Sequence, residues 1–308
     1  MNRVAIIGGS GFIGHNLTGF LTKNGYHVTI LDRNEPKMDV DYRIIDIMDK
    51  DNLITNLQNV DSVIHLAAMV GVDSCRLNVD EVMNINFTGT RNVVEACKKN
   101  KIKKLLFSSS SEVYGDGVKC PFEETDIKLP KSTYGKAKLN SEEYLRSEAK
   151  DDFIVRVVRY FNVYGPSQRT DFVINRLLDK AYQGKELSIY GDGSQTRCFT
   201  YITDILMGTY LAFIHEGNFY EDFNIGNDFP VTINDLAEKI VDVLGSKSEV
   251  KYIPYGSEGV RDKNMEIYRR IPSINKAKSL LGYEPKVSLE QGLRKVIGER
   301  FGNKISIS

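Results

Sequence analysis

Val4-Ala5-Ile6-Ile7-Gly8-Gly9-Ser10-Gly11-Phe12-Ile13-Gly14 decides how the fold is read. Four apolar residues of strand character run into glycines at 8, 11 and 14, and Ile13 to Asn24 then follows a helical period. Each glycine has a distinct physical use in a strand–turn–helix unit. Gly8 permits a tight turn. Gly11 lets backbone N–H groups approach an anion where the helix dipole favours negative charge. Gly14 allows the helix to lie close on the strand. A glycine triplet alone is a weak signal, but this one stands between a strand pattern and a helix pattern, as a dinucleotide loop requires.

Working outward, the next apolar run is Val28-Thr29-Ile30-Leu31, and Asp32 ends it 18 residues past Gly14. A carboxylate there accepts hydrogen bonds from ribose hydroxyls and repels a 2′-phosphate, which favours NAD over NADP. Arg33 pulls the other way, since a cation can serve a phosphate. Further apolar runs follow: Ser62 to Leu66, Lys104 to Phe107 and Ile154 to Val158. Helical segments separate them, at Asn86 to Lys99 and Tyr134 to Glu148. Near-continuous apolar strands alternating with helices predict an α/β fold with a doubly wound parallel sheet. After Pro166 the rhythm loosens. A helix is expected at Phe172 to Gln183, a strand at Leu187 to Tyr190, a helix at Thr203 to His215 and a strand at Phe223 to Ile225. Helices at about 232–244, 273–281 and 288–300 close the chain. The expected division is a dinucleotide-binding domain over 1–166, rejoined by 198–226, and a smaller C-terminal α/β substrate-binding lobe over 167–308.

The 308 residues carry 41 Lys plus Arg and 41 Asp plus Glu, so no basic excess supports nucleic-acid binding by counterion release. With 41% hydrophobic residues and no net charge, disorder is excluded as well. Cys75, Cys97, Cys120 and Cys198 form no CxxC pair, so neither a zinc site nor a disulfide framework is expected. No apolar run reaches membrane-spanning length, and the opening strand pattern leaves no expected signal peptide.

A second constellation follows the fourth strong strand. Ser108-Ser109-Ser110-Ser111-Glu112-Val113-Tyr114-Gly115 ends it, and Tyr134-Gly135-Lys136-Ala137-Lys138 opens a helix 19 residues later. Tyr134 and Lys138 are four apart and share a helix face. An ammonium beside a phenol favours the phenolate, and a strand-end serine can hydrogen-bond the same substrate oxygen. These parts suffice to take a proton from a secondary alcohol while a nicotinamide takes the hydride.

With these residues the chain resembles the extended short-chain dehydrogenase/reductases that modify nucleotide sugars: NAD-dependent epimerases, dehydratases and decarboxylases. The resemblance spans nearly the whole length. It includes Asp46-Ile47, His65-Leu66-Ala67-Ala68, Asn86-Phe87-Thr88-Gly89-Thr90, Arg159-Tyr160-Phe161-Asn162-Val163-Tyr164-Gly165-Pro166, Tyr190-Gly191-Asp192-Gly193-Ser194-Gln195-Thr196-Arg197 and Leu281-Gly282-Tyr283-Glu284-Pro285. It implies a Rossmann sheet, with Tyr134 as base, Lys138 tuning it and holding the nicotinamide ribose, and Ser110 as the assisting hydroxyl. Cofactor contacts are implied for Gly8, Gly11, Phe12, Ile13, Gly14, Asp32, Arg33, Asp46, Ile47, Leu66, Ala67, Ala68, Asn86, Ser108 and Tyr160 as well. Substrate contacts are implied for Ser110, Ser111, Asn162, Tyr190 and Arg197, with Arg261, Arg269 or Arg270 as a second diphosphate cation. His65, inside a buried strand, is expected to be structural. No metal is implied. The implied partner is a nucleoside-diphosphate sugar. A homodimer through the helices around Asn86–Lys99 and Tyr134–Glu148 and a cytoplasmic location are also implied.

The family chemistry oxidises sugar C4 transiently. Epimerases return the hydride to the other face, dehydratases eliminate water first, and decarboxylases lose the C5 carboxylate. Glu112 suits removal of an acidified C5 proton. However, Ser111 stands where dehydratases carry an aspartic acid as proton donor. Arg169, after the Gly165-Pro166 turn, is near but not at the place where decarboxylases hold a carboxylate. A UDP-sugar 4-epimerase is the favoured expectation, ahead of a dehydratase and a UDP-glucuronate-type decarboxylase. A dinucleotide-sensing module and a keto-sugar reductase are the rivals from other classes.

Overall fold

A computed structural model describes residues 2–70, 78–257 and 263–302; Arg261 and Cys75 lie outside the described residues. The central sheet is built from β1 (Arg3–Ile7), β2 (His27–Asp32), β3 (Asp41–Ile44), β4 (Ser62–His65), β5 (Lys104–Ser110), β6 (Ile154–Tyr160) and the strand Tyr220–Ile225. From that last strand the spatial order runs β6, β5, β4, β1, β2, β3, and every pairing is parallel. Side chains alternate between two cores. Val4, Ile6 and Leu106 pack on one face, and Ala5, Ile7, Leu105 and Phe107 on the other. A strand buried on both faces needs apolar residues throughout, hence the unbroken Val-Ala-Ile-Ile run.

The winding reverses between β1 and β4. Leu66 and Ala67 both donate their N–H to the Ile7 carbonyl, at 2.8 and 2.9 Å. A crevice opens at the carboxyl ends of the strands at such a switch point. The helix Ile202–Ile214 returns to the Rossmann side, with Tyr210 meeting Phe20 edge-on at 5.5 Å.

The C-terminal lobe is assembled from small sheets. Leu187–Tyr190 pairs with Val250–Ile253, and Thr196–Arg197 lies between Val231–Thr232 and Arg269–Arg270. Capping boxes start the helices Ile233–Leu244 (Thr232 with Asp235) and Leu289–Phe301 (Ser288 with Gln291). The helix expected from Asn86 begins its α-helical course at Gly89, after a π-helical turn over Asn84–Thr88. The Asn86 carbonyl is taken by the hydroxyls of Thr90 (2.7 Å) and Ser141 (3.0 Å), a local competition for the helix ladder that periodicity does not reveal.

Candidate active site

The dinucleotide side is built by backbone and steric fit. Gly8 has φ +87°, and a Cβ there would lie 2.4 Å from the Ala67 nitrogen. A Cβ on Gly14 would lie 2.3 Å from the Gly8 carbonyl, while one on Gly11 would meet only that same oxygen at 3.4 Å. Gly8 and Gly14 are therefore required by packing within the chain. Gly11 is nearly free of such demand, as expected of a residue that leaves room for a ligand. Gly9, not singled out by the sequence pattern, packs on Ile30, 2.7 Å from its would-be Cβ. The first bond of the helix Phe12–Lys23 is His15 N–H to the Gly11 carbonyl at 2.8 Å. The amides of Phe12, Ile13 and Gly14 thus lack acceptors within the helix and form an anion cradle.

The Asp32 carboxylate accepts the N–H groups of Ser10 and Asn34, both at 3.0 Å, and is fixed beside that cradle. Arg33 turns to Asp46, 3.6 Å away, and Asp46 also accepts the Met48 N–H at 2.9 Å. The cation that favoured NADP in the sequence is thereby neutralised. Cradle, fixed acid and open Gly11 fit NAD. Ile47 is buried against Gly89, and Asn92 holds its carbonyl at 3.0 Å. Two of the residues implied as cofactor contacts make hydrogen bonds within the chain. Tyr160 is buried with its hydroxyl 2.8 Å from that of Thr209. The side chain of Asn86 clamps the Met69 backbone through both its ends, at 2.7 and 3.0 Å, and holds the loop after Ala67-Ala68.

The residues expected to carry the reaction lie at the end of β5 and on the helix that follows. The helix Thr133–Glu148 is capped by Ser132, whose hydroxyl accepts the Gly135 N–H at 2.9 Å. Half-buried Tyr134 sits in its first turn. One turn on, Lys138 is 1% exposed, donates to the Ser108 carbonyl at 2.7 Å, and lies 5.8 Å from the Tyr134 ring centre. Burial lowers the Lys138 ammonium from its ordinary value to about 7. Ser108 in turn donates to the His65 carbonyl at 3.1 Å, tying β5 to β4. Ser110 accepts the Glu112 N–H at 3.2 Å, which uses a lone pair and leaves its O–H for a substrate oxygen. His65 is fully buried beside Thr90 (3.1 Å), and burial pushes it down to about 3, so it is a neutral structural residue.

Ser111, implied as a substrate contact, is 1% exposed and opens the short helical turn Ser111–Tyr114. Glu112, the candidate for removing a C5 proton, accepts a hydrogen bond from Ser132 and lies 3.6 Å from Arg270. The Arg270 side chain is only 12% exposed, and its buried Nε has no hydrogen-bond partner among the described residues. Arg197 is buried on Glu266 and donates to the Thr196 carbonyl at 2.8 Å. Asn162 is held at φ +34° with its buried Oδ1 unpartnered among the described residues, a strained polar group of the kind found at binding sites. Tyr190 stacks beneath Arg176, 5.1 Å from the guanidinium carbon. Sequence reasoning missed Ser132 and Glu266 and left Arg270 among three candidates. The contacts that define these residues join segments far apart in the chain. Among the described residues no cluster of His, Cys, Asp or Glu could hold a metal.

A Rossmann sheet with the glycine loop at its switch point, and with Ser110, Tyr134 and Lys138 on the elements at the end of β5, has the parts expected of a nicotinamide-dependent enzyme acting on a secondary alcohol. The chain belongs to the NAD dependent epimerase/dehydratase family, whose profile matches residues 4–226. It is 37% identical to a UDP-N-acetyl-alpha-D-glucosaminuronate decarboxylase of Bacillus cytotoxicus, over 96% of each chain. It superposes on the UDP-glucose 4-epimerase of Thermotoga maritima, solved with UDP-glucose, with TM-score 0.89 and 32% identity, covering 96% of this chain and 98% of that one. MoeE5 in complex with UDP-glucuronic acid and NAD gives TM-score 0.87 and 30% identity with the same coverage. It is an NAD-dependent nucleotide-sugar enzyme.

Proposed function

We propose that the chain oxidises C4 of a UDP-hexuronic acid and that the oxidised sugar then loses its C5 carboxylate. The observation that carries this reading is Arg270, held 3.6 Å from Glu112, whose carboxylate in turn accepts the hydroxyl of Ser132, the cap of the helix that carries Tyr134. Bound NAD supplies the acceptor, and afterwards the donor, of the C4 hydride. Tyr134 takes the proton of the C4 hydroxyl and later returns it, and Ser110 donates to the same oxygen. Lys138 favours the phenolate by its charge. Arg270 offers a cation with a free N–H to the C5 carboxylate. Oxidation at C4 makes that carboxylate part of a β-keto acid. The C5–C6 bond then breaks, carbon dioxide leaves, its electron pair passes to the C4 enolate oxygen, and C5 takes a proton. That proton comes from solvent water, which the Glu112 carboxylate is placed to hold by accepting its hydrogen bond.

The family relative of highest identity named above acts on such a uronate, and MoeE5 binds one. The second reading is 4-epimerisation of a UDP-sugar, favoured by the intact Ser110, Tyr134 and Lys138 set and by the likeness to the Thermotoga enzyme. Dehydration has less support because a serine, Ser111, stands where dehydratases carry an aspartic acid as proton donor. The test is NMR of the products from UDP-glucuronate, UDP-N-acetylglucosaminuronate, UDP-glucose and UDP-N-acetylglucosamine. A pentose product lacking C6 from a uronate supports decarboxylation. Inversion at C4 with all six carbons kept supports the second reading.

A homodimer through the helices Gly89–Lys99 and Thr133–Glu148 is part of the same proposal, to be read by solution mass. A cytoplasmic location is also proposed. It agrees with the absence, among the described residues, of a helix long and apolar enough to cross a membrane.

A further inference from the structure

Behind the catalytic groups lies a buried ionic network that the proposed reaction does not use. Glu142 stands one helical turn past Lys138, as Lys138 stands one turn past Tyr134. Glu142 is 3% exposed and Arg159, on β6, is 1% exposed. Arg159 grips both carboxylate oxygens of Glu142, through Nε at 2.9 and 3.2 Å and Nη2 at 2.6 Å. The same carboxylate accepts the hydroxyl of Ser109. Arg159 is held from behind by Asp222 at 2.7 Å and by the Tyr114 hydroxyl at 2.9 Å, and Tyr114 donates to Asn224 at 2.8 Å.

The helix therefore latches onto the end of β5 by two successive rungs. Lys138 takes the Ser108 carbonyl and Glu142 takes the Ser109 hydroxyl. Ser110, the next residue, ends β5. Arg159 is the register partner of Ser109, and Tyr160 that of Ser110, so the network also locks β6 to this end of β5. An unpaired buried charge is strongly unfavourable, and a partner is usually removable only at high cost. Here the pair sits where its loss would move the reacting groups.

We propose that Glu142 is a positioning residue. Through Ser109 and Arg159 it sets Ser110 against Tyr134, and its charge helps keep the buried Lys138 an ammonium. The titratable groups around Lys138 are Tyr134 and Glu142 on its own helix and His65 on β4, which is neutral. Those around Glu142 are Arg159, Tyr114, Tyr220 and Asp222, with Lys128 further out. Of these, Glu142 is the one that favours the charged Lys138 against the effect of burial.

The inference rests on the Tyr134–Lys138 reading of the site but not on which sugar is used. The test compares Glu142→Gln and Ser109→Ala with the wild type as NAD-loaded enzyme. Glu142→Gln is expected to lower kcat roughly tenfold or more while KM changes less than about threefold. In the NAD-loaded protein without substrate, the 15N signal of the Lys138 ammonium should titrate at lower pH in this variant, and the alkaline limb of kcat should move the same way. Ser109→Ala keeps the charge, so kcat should fall with the Lys138 titration unmoved. The inference is overturned if both variants keep wild-type kcat, or if the Lys138 titration is the same in Glu142→Gln. If that variant does not fold, Ser109→Ala decides alone, and unchanged kcat overturns the positioning. A wild type that turns over no UDP-sugar would count against the proposed function instead, and the Lys138 titration would still judge the inference.

Discussion

The two halves of the cleft are made in different ways. On the NAD side, one continuous stretch from Val4 to Gly14 supplies the strand end, the turn and the helix amides. Its specificity is steric and uses the backbone, as with Gly8 against Ala67. On the sugar side, the contacts are ion pairs between distant segments. Glu112 meets Arg270, and Arg197 meets Glu266. The first kind of site is fixed by local chain geometry and tolerates little change. The second can be retuned by exchanging one member of a pair, which suits a fold that serves several reactions after the same C4 oxidation.

Predictions that separate the two halves run from the largest effect to the smallest. Tyr134→Phe removes the base that both halves serve. It should lower kcat about 10³-fold, some 4 kcal/mol of barrier, with NAD still bound, as read by rapid-quench turnover and by cofactor content. Gly8→Ala strikes only the NAD side. The left-handed backbone and the clash with Ala67 should cost about 3 kcal/mol of stability in urea unfolding and reduce the NAD that copurifies. Wild-type stability would break the contrast, because the NAD side would then not depend on close packing. Arg270→Met strikes only the sugar side. It should cost about 2–3 kcal/mol in kcat/KM for UDP-hexuronates, through loss of a charge-assisted contact, with little change for neutral UDP-sugars and none in NAD content. Equal losses on both sugar classes would show that Arg270 does not read the carboxylate.

The smallest effect concerns the switch point between the halves. His65 is neutral in the fold at about 3 and ordinarily titrates near 6.5, so the unfolded chain binds the extra proton as pH falls. Its contribution is whole above pH 6.5 and is lost downward toward about 3. Stability should drop by about 2 kcal/mol between pH 6.5 and 5 on this account, and His65→Gln should flatten that slope in urea titrations.

The same contrast explains what could be read from the sequence. The strand runs, the glycine loop, Asp32 and the Tyr134–Lys138 spacing each lie within one element, where periodicity and spacing carry the signal. The parallel doubly wound sheet followed from them. Glu142, at the next turn after Lys138, was not singled out from the sequence, because its meaning comes only with Arg159 and Ser109 in place. The Glu112–Arg270 pair was not legible, because 158 residues separate its members and no local pattern encodes the meeting. For Ser111 and Tyr160 the family motifs imply contacts, but no local pattern told that the fold buries both side chains.

The central claim is a transient oxidation at C4 by a cofactor the enzyme keeps. The most direct test supplies a UDP-hexuronate deuterated at C4 and follows the label by NMR through complete turnover. The account predicts that the product retains deuterium at C4, with no reduced nicotinamide released to solution. Exchange of that deuterium with solvent, or stoichiometric release of reduced cofactor, would contradict it.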